Sequence, residues 1–361
     1  MHIGFVLYGS IDTLTGGYLY DRYIVDHLRK VGHRVTLLTL PPRTYWHRYQ
    51  DNLSNTLYDR IAKTQPDVLV QDELCHPSLL RLNQQLRRRW GRPVIALVHH
   101  LNCREPRSYW VNQCLAWAEK RYLNSVDGFI FNSRTTKDQV VRLSPRLRPQ
   151  VVARPGGNRL GRWMEPSAIS RRAMALGPLK LLFLGAVIPR KGLLQLIHAL
   201  YRLKTRNWRL DVVGDTEAAP AYANRVRKTI HRYGLGLQIR MCNRLDDAAL
   251  RTLLIRSHVL CMPFAYEGFG IAAVEAFNFG LPVMGLSKGA TREIVCNGRT
   301  GYLFAFDDEQ AVTRVISDLA SHRRRLVEMG LAVAAKAEQL PTWQDCVERI
   351  ESFLTKAVKN M

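Results

Sequence analysis

The residues with the clearest potential for chemistry lie between positions 263 and 277. Glu267 precedes a Gly268-Phe269-Gly270 turn, and Glu275 follows inside an apolar run that predicts a helix over residues 271–279. Glycines let the backbone approach a ligand closely, and the first N–H groups of a helix favour an anion such as a diphosphate. A carboxylate among core residues needs a partner. The two carboxylates are therefore expected to hold opposite ends of one elongated ligand.

Alternating apolar strands and helical segments surround this motif. In the first half of the chain the strand-like runs are 3–7, 35–40, 68–70, 94–98 and 128–131. In the second half they are 180–185, 210–214, 239–241, 259–262 and 282–285. This alternation predicts an α/β protein with two doubly wound, Rossmann-like domains, each built on a parallel sheet. Ligands of such folds bind at the carboxyl ends of the strands, so a cleft is expected where the two domains face each other.

The strand and helix pattern lapses between about 155 and 178. We therefore expect an N-terminal domain over residues 1–170 and a C-terminal domain over 171–340. An amphipathic segment follows from Trp343, and residues 341–361 are expected to form a C-terminal helix.

The motif residues resemble those of the retaining glycosyltransferases of GT-B fold, the family four or group 1 enzymes. The similarity rests on a glutamate, seven residues and a second glutamate, and on further matching segments: Gly280-Leu281-Pro282-Val283, Glu293-Ile294-Val295, Gly298 and Gly301, Gly16-Gly17, His99, Lys191-Gly192 and the Trp343 helix. The resemblance implies a GT-B fold whose C-terminal helix crosses back to the N-terminal domain. It also implies transfer of a sugar from a nucleotide-diphosphate sugar, with residues 1–170 as the acceptor-side domain and residues 171–340 as the nucleotide-sugar-binding domain.

The resemblance assigns the donor contacts mainly to the second half of the chain. Glu275 would bind the ribose. Glu267 would bind hydroxyls of the transferred sugar, with the backbone amides of Gly268, Phe269 and Gly270. Lys191 and Arg190 would neutralise the diphosphate, where fixed positive charge lowers the barrier to phosphate departure.

In the first half, Gly16 and Gly17 look like the glycine loop of the family. His99 ends a buried strand and would contact the sugar rather than act as a base, because such enzymes are thought to let the leaving phosphate take the acceptor proton. Two departures are visible. Ala186 stands where the family commonly has arginine, with Arg190 as the candidate substitute, and Asn243 stands where a glycine usually meets the base.

The sequence predicts neither a metal nor a separate cofactor. It contains no Asp-x-Asp motif. The paired acidic residues are expected to enter helices instead, because acidic side chains suit a first turn; they are Asp246, Asp247, Asp307 and Asp308.

The charge balance points to an anionic partner. The chain has 53 basic and 30 acidic residues, a formal charge of +23. Basic and aromatic residues alternate in segments 43–49 and 87–92, a composition suited to an anionic membrane surface. The hypothesis is a cytoplasmic protein, peripheral on the inner face of the membrane, with a glycan or lipid-linked acceptor. No signal peptide or membrane-spanning run is recognised, and the seven cysteines form no CxxC pair.

Three alternatives stay open at this stage. An NAD-dependent oxidoreductase is disfavoured because the loop after the first strand is not G-x-G-x-x-G. A basic nucleic-acid-binding protein would leave the paired carboxylates without a role. A non-catalytic relative that binds sugar nucleotides would keep Glu267, Glu275 and Lys191.

Overall fold

The computed structural model describes residues 1–360 except 147, 162, 163, 306 and 307. Backbone contacts divide the chain into two compact units. Unit 1 comprises Met1–Pro155 together with the C-terminal segment from Trp343 onward, and unit 2 comprises Gly156–Thr342. Within the described residues each unit contains one sheet of six parallel strands, as the strand and helix alternation predicts.

Unit 1 is built on a sheet with the strand order β2-β1-β3-β4-β5-β6. Its strands are β1 (His2–Tyr8), β2 (Arg34–Leu40), β3 (Val68–Asp72), β4 (Val94–Val98), β5 (Gly128–Phe131) and β6 (Gln150–Val152). Its helices before the domain boundary are α1 (Gly16–Lys30), α2 (Thr56–Thr64), α3 (His76–Arg89), α4 (Tyr109–Leu123) and α5 (Arg134–Leu143). The central strands β3, β4 and β5 are buried along their whole length, which explains their continuous apolar sequence.

Unit 2 has the strand order β12-β11-β10-β7-β8-β9. Its strands are β7 (Leu179–Leu184), β8 (Trp208–Val213), β9 (Ile239–Asn243), β10 (Val259–Met262), β11 (Val283–Leu286) and β12 (Gly301–Phe304). Its helices are α6 (Pro166–Met174), α7 (Leu193–Tyr201), α8 (Pro220–Arg232), α9 (Asp247–Arg256), α10 (Ile271–Phe277), α11 (Thr291–Ile294), α12 (Glu309–Ser321) and α13 (Arg323–Ala337).

The boundary between the units lies earlier than residue 170. Unit 2 begins at Gly156, because α6 packs on α13 and the side chain of Ile169 fills the space beside Gly280 and Gly330. Residues 156–170 therefore belong to unit 2 and not to unit 1.

The C-terminal helix α14 (Trp343–Lys359) returns to unit 1, as the resemblance implies. The indole of Trp343 stacks on Tyr23 of α1, with ring centroids 3.9 Å apart and planes 6° from parallel. Further along the helix, Glu351 lies 2.9 Å from His27 Nε2 and 3.2 Å from His33 Nε2. The stacked aromatic rings and the Glu351 contacts thus fix α14 to α1 and to the loop after α1.

Each strand order contains a topological switch point, the position at which the chain changes from one side of the first strand to the other. In unit 1 the chain crosses from one side of β1 to the other, so the crevice opens between the carboxyl ends of β1 and β3. In unit 2 the corresponding crevice lies between β7 and β10. The loops that follow these four strands are therefore the ones expected to hold ligands. None of the described helices has the length and apolar character that a membrane-spanning segment requires.

Candidate active site

The β10–α10 loop of unit 2 carries the first glutamate of the sequence motif. Phe269 is buried in the core of unit 2 and anchors the loop. Gly270 adopts a left-handed conformation, φ +94°, immediately before α10 begins, a geometry that glycine adopts without strain. Helix α10 ends at Phe277, so it has seven residues rather than the nine expected. With such a short helix, positive charge at this site has to come mainly from side chains.

That charge comes from the turn after β7, which contains Arg190 and Lys191. The Lys191 ammonium lies 2.5 Å from Glu267 Oε2 and 3.8 Å from the centroid of the Phe264 ring. Arg190 donates from Nη1 to Tyr266 O at 3.0 Å, and Ala265 N donates to Arg190 O at 2.8 Å. The two loops at the switch point are therefore tied together, and Arg190, Lys191 and Glu267 form one cluster.

Glu275 lies about one turn inside α10 and is 3% exposed. Its Oε1 lies 2.5 Å from Arg159 Nε, and Arg159 also pairs with Asp247 at the start of α9. Burial raises the pKa of Glu275 above its usual range, and the Arg159 guanidinium opposes that rise. The partner expected for a carboxylate among core residues is thus Arg159, a residue that the motif analysis did not single out.

Gly157 explains how Arg159 reaches Glu275. A Cβ added at Gly157 would lie 2.3 Å from Val274 O of α10, which is far closer than any side chain tolerates. The glycine allows the chain to pass directly over α10, two residues before Arg159. The Gly156-Gly157 pair shortly before Arg159 is the sequence feature that permits this contact, but it does not identify Glu275 as the partner.

Asn243 ends β9 in a left-handed conformation, φ +52°. Its backbone oxygen accepts from Gly214 N at 2.8 Å, and its side-chain oxygen accepts from Thr216 Oγ1 at 3.2 Å. Asparagine is one of the few residues that tolerate this backbone region, which accounts for a position where the family usually has glycine.

In unit 1 the predicted site residues gather around His99, which follows β4 and is 5% exposed. Gly16 and Gly17 open α1 behind the capping residue Thr15, and a Cβ added at Gly17 would touch the His99 ring at 3.6 Å. The His99 Nε2 atom lies 3.0 Å from Asp21 Oδ1 of the same helix. The structure thus places Gly17 beside the His99 ring and adds Asp21 to them.

Two groups of buried side chains in unit 1 could hold a cation by distance alone. One contains Asp21, Asp72 and His99, and the other contains Glu73, His76 and Glu119. Both ring nitrogens of His76 already have partners, since Nε2 lies 2.7 Å from the Tyr45 hydroxyl and Nδ1 lies 3.0 Å from Glu73 O. In the first group, His99 Nε2 already lies 3.0 Å from Asp21 Oδ1. Metal ligation needs an unprotonated imidazole nitrogen, so both groups are hydrogen-bonded clusters as they stand.

The paired acidic residues of the sequence behave as helix-entry residues. Asp246 caps α9 by accepting from Ala249 N, and Asp308 caps α12 by accepting from Ala311 N. Asp247 opens α9 and pairs with Arg159. Asp307 lies outside the described residues.

Two family profiles match the chain. One, described as "Glycosyl transferase 4-like domain", matches residues 12–157, and the other, described as "Glycosyl transferases group 1", matches residues 168–334. The chain belongs to the group 1 glycosyltransferases of GT-B fold. The matched ranges fall on units 1 and 2 in turn.

Curated relatives of this group 1 chain include two actinobacterial enzymes. MMP alpha-(1->4)-mannosyltransferase of Mycolicibacterium hassiacum is 30% identical over 175 residues, which is 48% of this chain and 42% of that protein. D-inositol 3-phosphate glycosyltransferase of Streptomyces avermitilis is 28% identical over 273 residues, which is 69% of this chain and 57% of that protein. The chain thus spans about half the length of the curated relatives that it matches.

Two solved structures share the fold over nearly all of the group 1 chain. Sucrose-phosphate synthase from Thermosynechococcus elongatus has a TM-score of 0.84 at 18% identity and full coverage of both chains. Anabaena HepE, solved with UDP and glucose, has a TM-score of 0.77 at 19% identity and covers 98% of this chain and 99% of its own. The GT-B architecture predicted from the sequence is confirmed.

The Arg159–Glu275 pair predicts a stability effect. Replacement of Arg159 by alanine leaves the Glu275 carboxylate buried without its cation, which typically costs about 3 to 5 kcal/mol. We expect Arg159→Ala to lower the free energy of unfolding by about that amount in denaturant titration. Arg171→Ala is the matched control, because Arg171 is exposed on α6. Equal unfolding free energies for the two variants would contradict the role of the pair.

Proposed function

We propose that the chain transfers a sugar from a nucleotide-diphosphate sugar to an acceptor, with retention of the anomeric configuration. The observation that carries the proposal is the cluster of Arg190, Lys191 and Glu267 at the switch point of unit 2, next to the buried Glu275. Two cations suit a diphosphate, and two carboxylates suit the hydroxyls of a ribose and a sugar. The family match does not favour the nucleic-acid-binding or the non-catalytic alternative.

The proposed donor contacts follow this arrangement. The diphosphate takes the place of Glu267 beside the Lys191 ammonium, so that Glu267 becomes available to sugar hydroxyls. The amides of Gly268, Phe269 and Gly270 lie in the same loop and assist there. Glu275, steadied by Arg159, accepts from the ribose hydroxyls, and Asn243 contributes near the base. Gly16, Gly17 and His99 of unit 1 contact the sugar.

In the proposed reaction the bond between the anomeric carbon and the diphosphate oxygen breaks, and the acceptor oxygen bonds to the same carbon on the same face. The acceptor proton passes to the departing phosphate, so no protein nucleophile is needed. Negative charge grows on the leaving oxygen, and the fixed cations Lys191 and Arg190 stabilise it. Arg190 thereby serves in place of the arginine that Ala186 replaces.

A donor screen tests the function directly. We expect the thermal midpoint of the wild-type chain to rise with one class among UDP-, GDP- and ADP-sugars, since a ligand at about 100 times its Kd stabilises by roughly 2.7 kcal/mol. Glu275→Gln keeps the size of the side chain but weakens the ribose contacts, and it should lose most of that shift. A shift of equal size in Glu275→Gln would contradict the assignment, and no shift with any donor would contradict the proposed function.

Turnover tests the role of Lys191. We expect Lys191→Ala to lower kcat by about 10²- to 10³-fold while KM changes much less, because the charge on the leaving oxygen is greatest in the transition state. Lys204→Ala, an exposed lysine of the same unit, is the control. Equal changes in KM and kcat would assign Lys191 to substrate binding only.

We also expect wild-type turnover to persist in EDTA, since side chains supply the cations. Loss of turnover that Mg²⁺ restores would contradict metal independence.

We further propose that unit 1 binds peripherally to the inner, anionic face of a membrane, which brings it to a lipid-linked or membrane-proximal acceptor. The support comes from α4, where Trp110 and Trp117 are 78% and 60% exposed. With Cys114 and Arg121 they follow a spacing of three and four residues and share one side of the helix. Exposed aromatic and basic side chains together favour an anionic lipid interface.

The two basic segments, 43–49 and 87–92, differ in how many of their arginines can contact lipid. In segment 43–49, Trp46 is 59% exposed, but Arg43 pairs with Asp51 and Arg48 lies over the Tyr8 ring at 4.0 Å. These two arginines therefore have partners within unit 1, and we do not assign them to lipid contact. Arg87, Arg88 and Arg89 are exposed at the end of α3 and remain candidates for lipid contact.

Co-sedimentation with liposomes tests the membrane proposal. We expect binding to anionic vesicles at low salt, weaker binding at high salt, and a marked loss for the double variant Trp110→Ser, Trp117→Ser. Leu237→Ser removes an equally exposed apolar side chain from unit 2 and serves as the control. Equal binding to neutral and anionic vesicles, or binding to neither, would contradict the proposal.

A further inference from the structure

The His99 imidazole is held in one orientation by side chains of α1, and its backbone is held by a residue after β5. Its Nε2 lies 3.0 Å from Asp21 Oδ1, and the ring of Tyr20 meets it edge-on with centroids 5.5 Å apart. Gly17 lies beside the ring, where a Cβ would meet it at 3.6 Å, and the His99 backbone oxygen accepts from Asn132 Nδ2 at 2.8 Å. Both the backbone and the ring are therefore fixed before any ligand binds.

The Asp21 side chain is directed at His99. It is fully buried on α1, and within the described part of the chain its second oxygen, Oδ2, has no hydrogen-bond partner. Apart from His99, the described residues give the Asp21 side chain no hydrogen-bond partner. A buried carboxylate with so few hydrogen bonds is costly unless a cation faces it.

The charged groups around the His99 ring favour its protonated form. Asp21 acts on His99 from α1, Asp72 from the end of β3 and Glu73 from the turn that follows, while the Arg48 cation also acts on Asp72. Burial alone would lower the pKa of His99, but Asp21 and Asp72 outweigh it and raise that pKa to about 9. Burial in turn raises the pKa of Asp72 to about 6, against the pull of His99.

We propose that Asp21 is a positioning residue that keeps the His99 imidazole doubly protonated and directs Nε2 to itself, so that His99 meets the substrate as a hydrogen-bond donor through Nδ1. The proposal rests on the proposed function and deepens it. A doubly protonated ring cannot accept a proton, so His99 is not the base for the acceptor hydroxyl. It can donate to a sugar oxygen, which agrees with a reaction in which the departing phosphate takes the acceptor proton.

The first test measures the ring itself and needs no substrate. In the full chain labelled with ¹⁵N-histidine, the His99 resonances are assigned by their loss in His99→Gln. We expect them to titrate above pH 8 in the wild-type chain and below about pH 7 in Asp21→Asn, near the ordinary histidine value. Asp26→Asn, an exposed aspartate on the same helix, is the matched control and should leave the titration unchanged.

Two results of this measurement would overturn the proposal. One is a wild-type His99 that titrates at or below the ordinary histidine value, which needs no variant to fold. The other is the same titration midpoint in Asp21→Asn and in the wild-type chain. Asp21→Glu keeps a carboxylate and should restore a high midpoint at least in part.

The second test follows transfer against pH. As pH rises, the wild-type kcat/KM should fall as His99 loses its proton near pH 9, whereas Asp21→Asn should lose activity at least two pH units lower. Asp21→Glu should shift the profile back, and Asp26→Asn should match the wild-type chain. Identical profiles for Asp21→Asn and the wild-type chain would overturn the positioning role. If the wild-type chain transfers no sugar from any donor, the proposed function fails, and the resonance titration still decides the state of His99.

Discussion

A charged group buried at the carboxyl edge of a parallel sheet must have an opposite charge within reach, and this constraint shapes both units. Glu275 needs Arg159, and Asp21 needs a protonated His99. Glu275 lies in α10 and Arg159 in the turn at 158–160, whereas Asp21 lies in α1 and His99 follows β4. The pairs therefore fix the loops at the edge of the sheet as well as the charges themselves. Removal of one partner leaves the other charge buried, which costs more than the pair contributes.

The third pair, Lys191 with Glu267, differs in its carboxylate, because the Glu267 side chain is 20% exposed whereas that of Glu275 is 4% exposed. Water therefore screens the charge of Glu267 more than that of Glu275. The consequence of this pair is positional. The ammonium is already held over the Phe264 ring, so a diphosphate that replaces Glu267 meets a cation that does not have to reorganise. The buried pairs hold the loops, and the Lys191–Glu267 pair is the one that we propose the donor diphosphate replaces.

Much of the fold could be predicted from the sequence, because the central strands are buried on both faces and read as continuous apolar runs. The edge strands β6 and β12 were missed, since they have three and four residues and are mostly half-buried. In the site, the glutamates and Lys191 stood out by motif and spacing. Arg159 and Asp21 did not stand out, because they lie 116 and 78 residues along the sequence from their partners. No local sequence pattern predicts a contact between residues so far apart.

The arrangement of cations also bears on how the site could work without a metal ion. A divalent ion would bring two positive charges to the diphosphate, and Arg190 and Lys191 bring the same number from one turn after β7. Because side chains held by backbone contacts keep their positions as the reaction proceeds, they stabilise developing charge without reorganisation. In unit 1, the protonated His99 that we propose owes its charge to Asp21, Asp72 and Glu73, so that cation depends on the carboxylates around it.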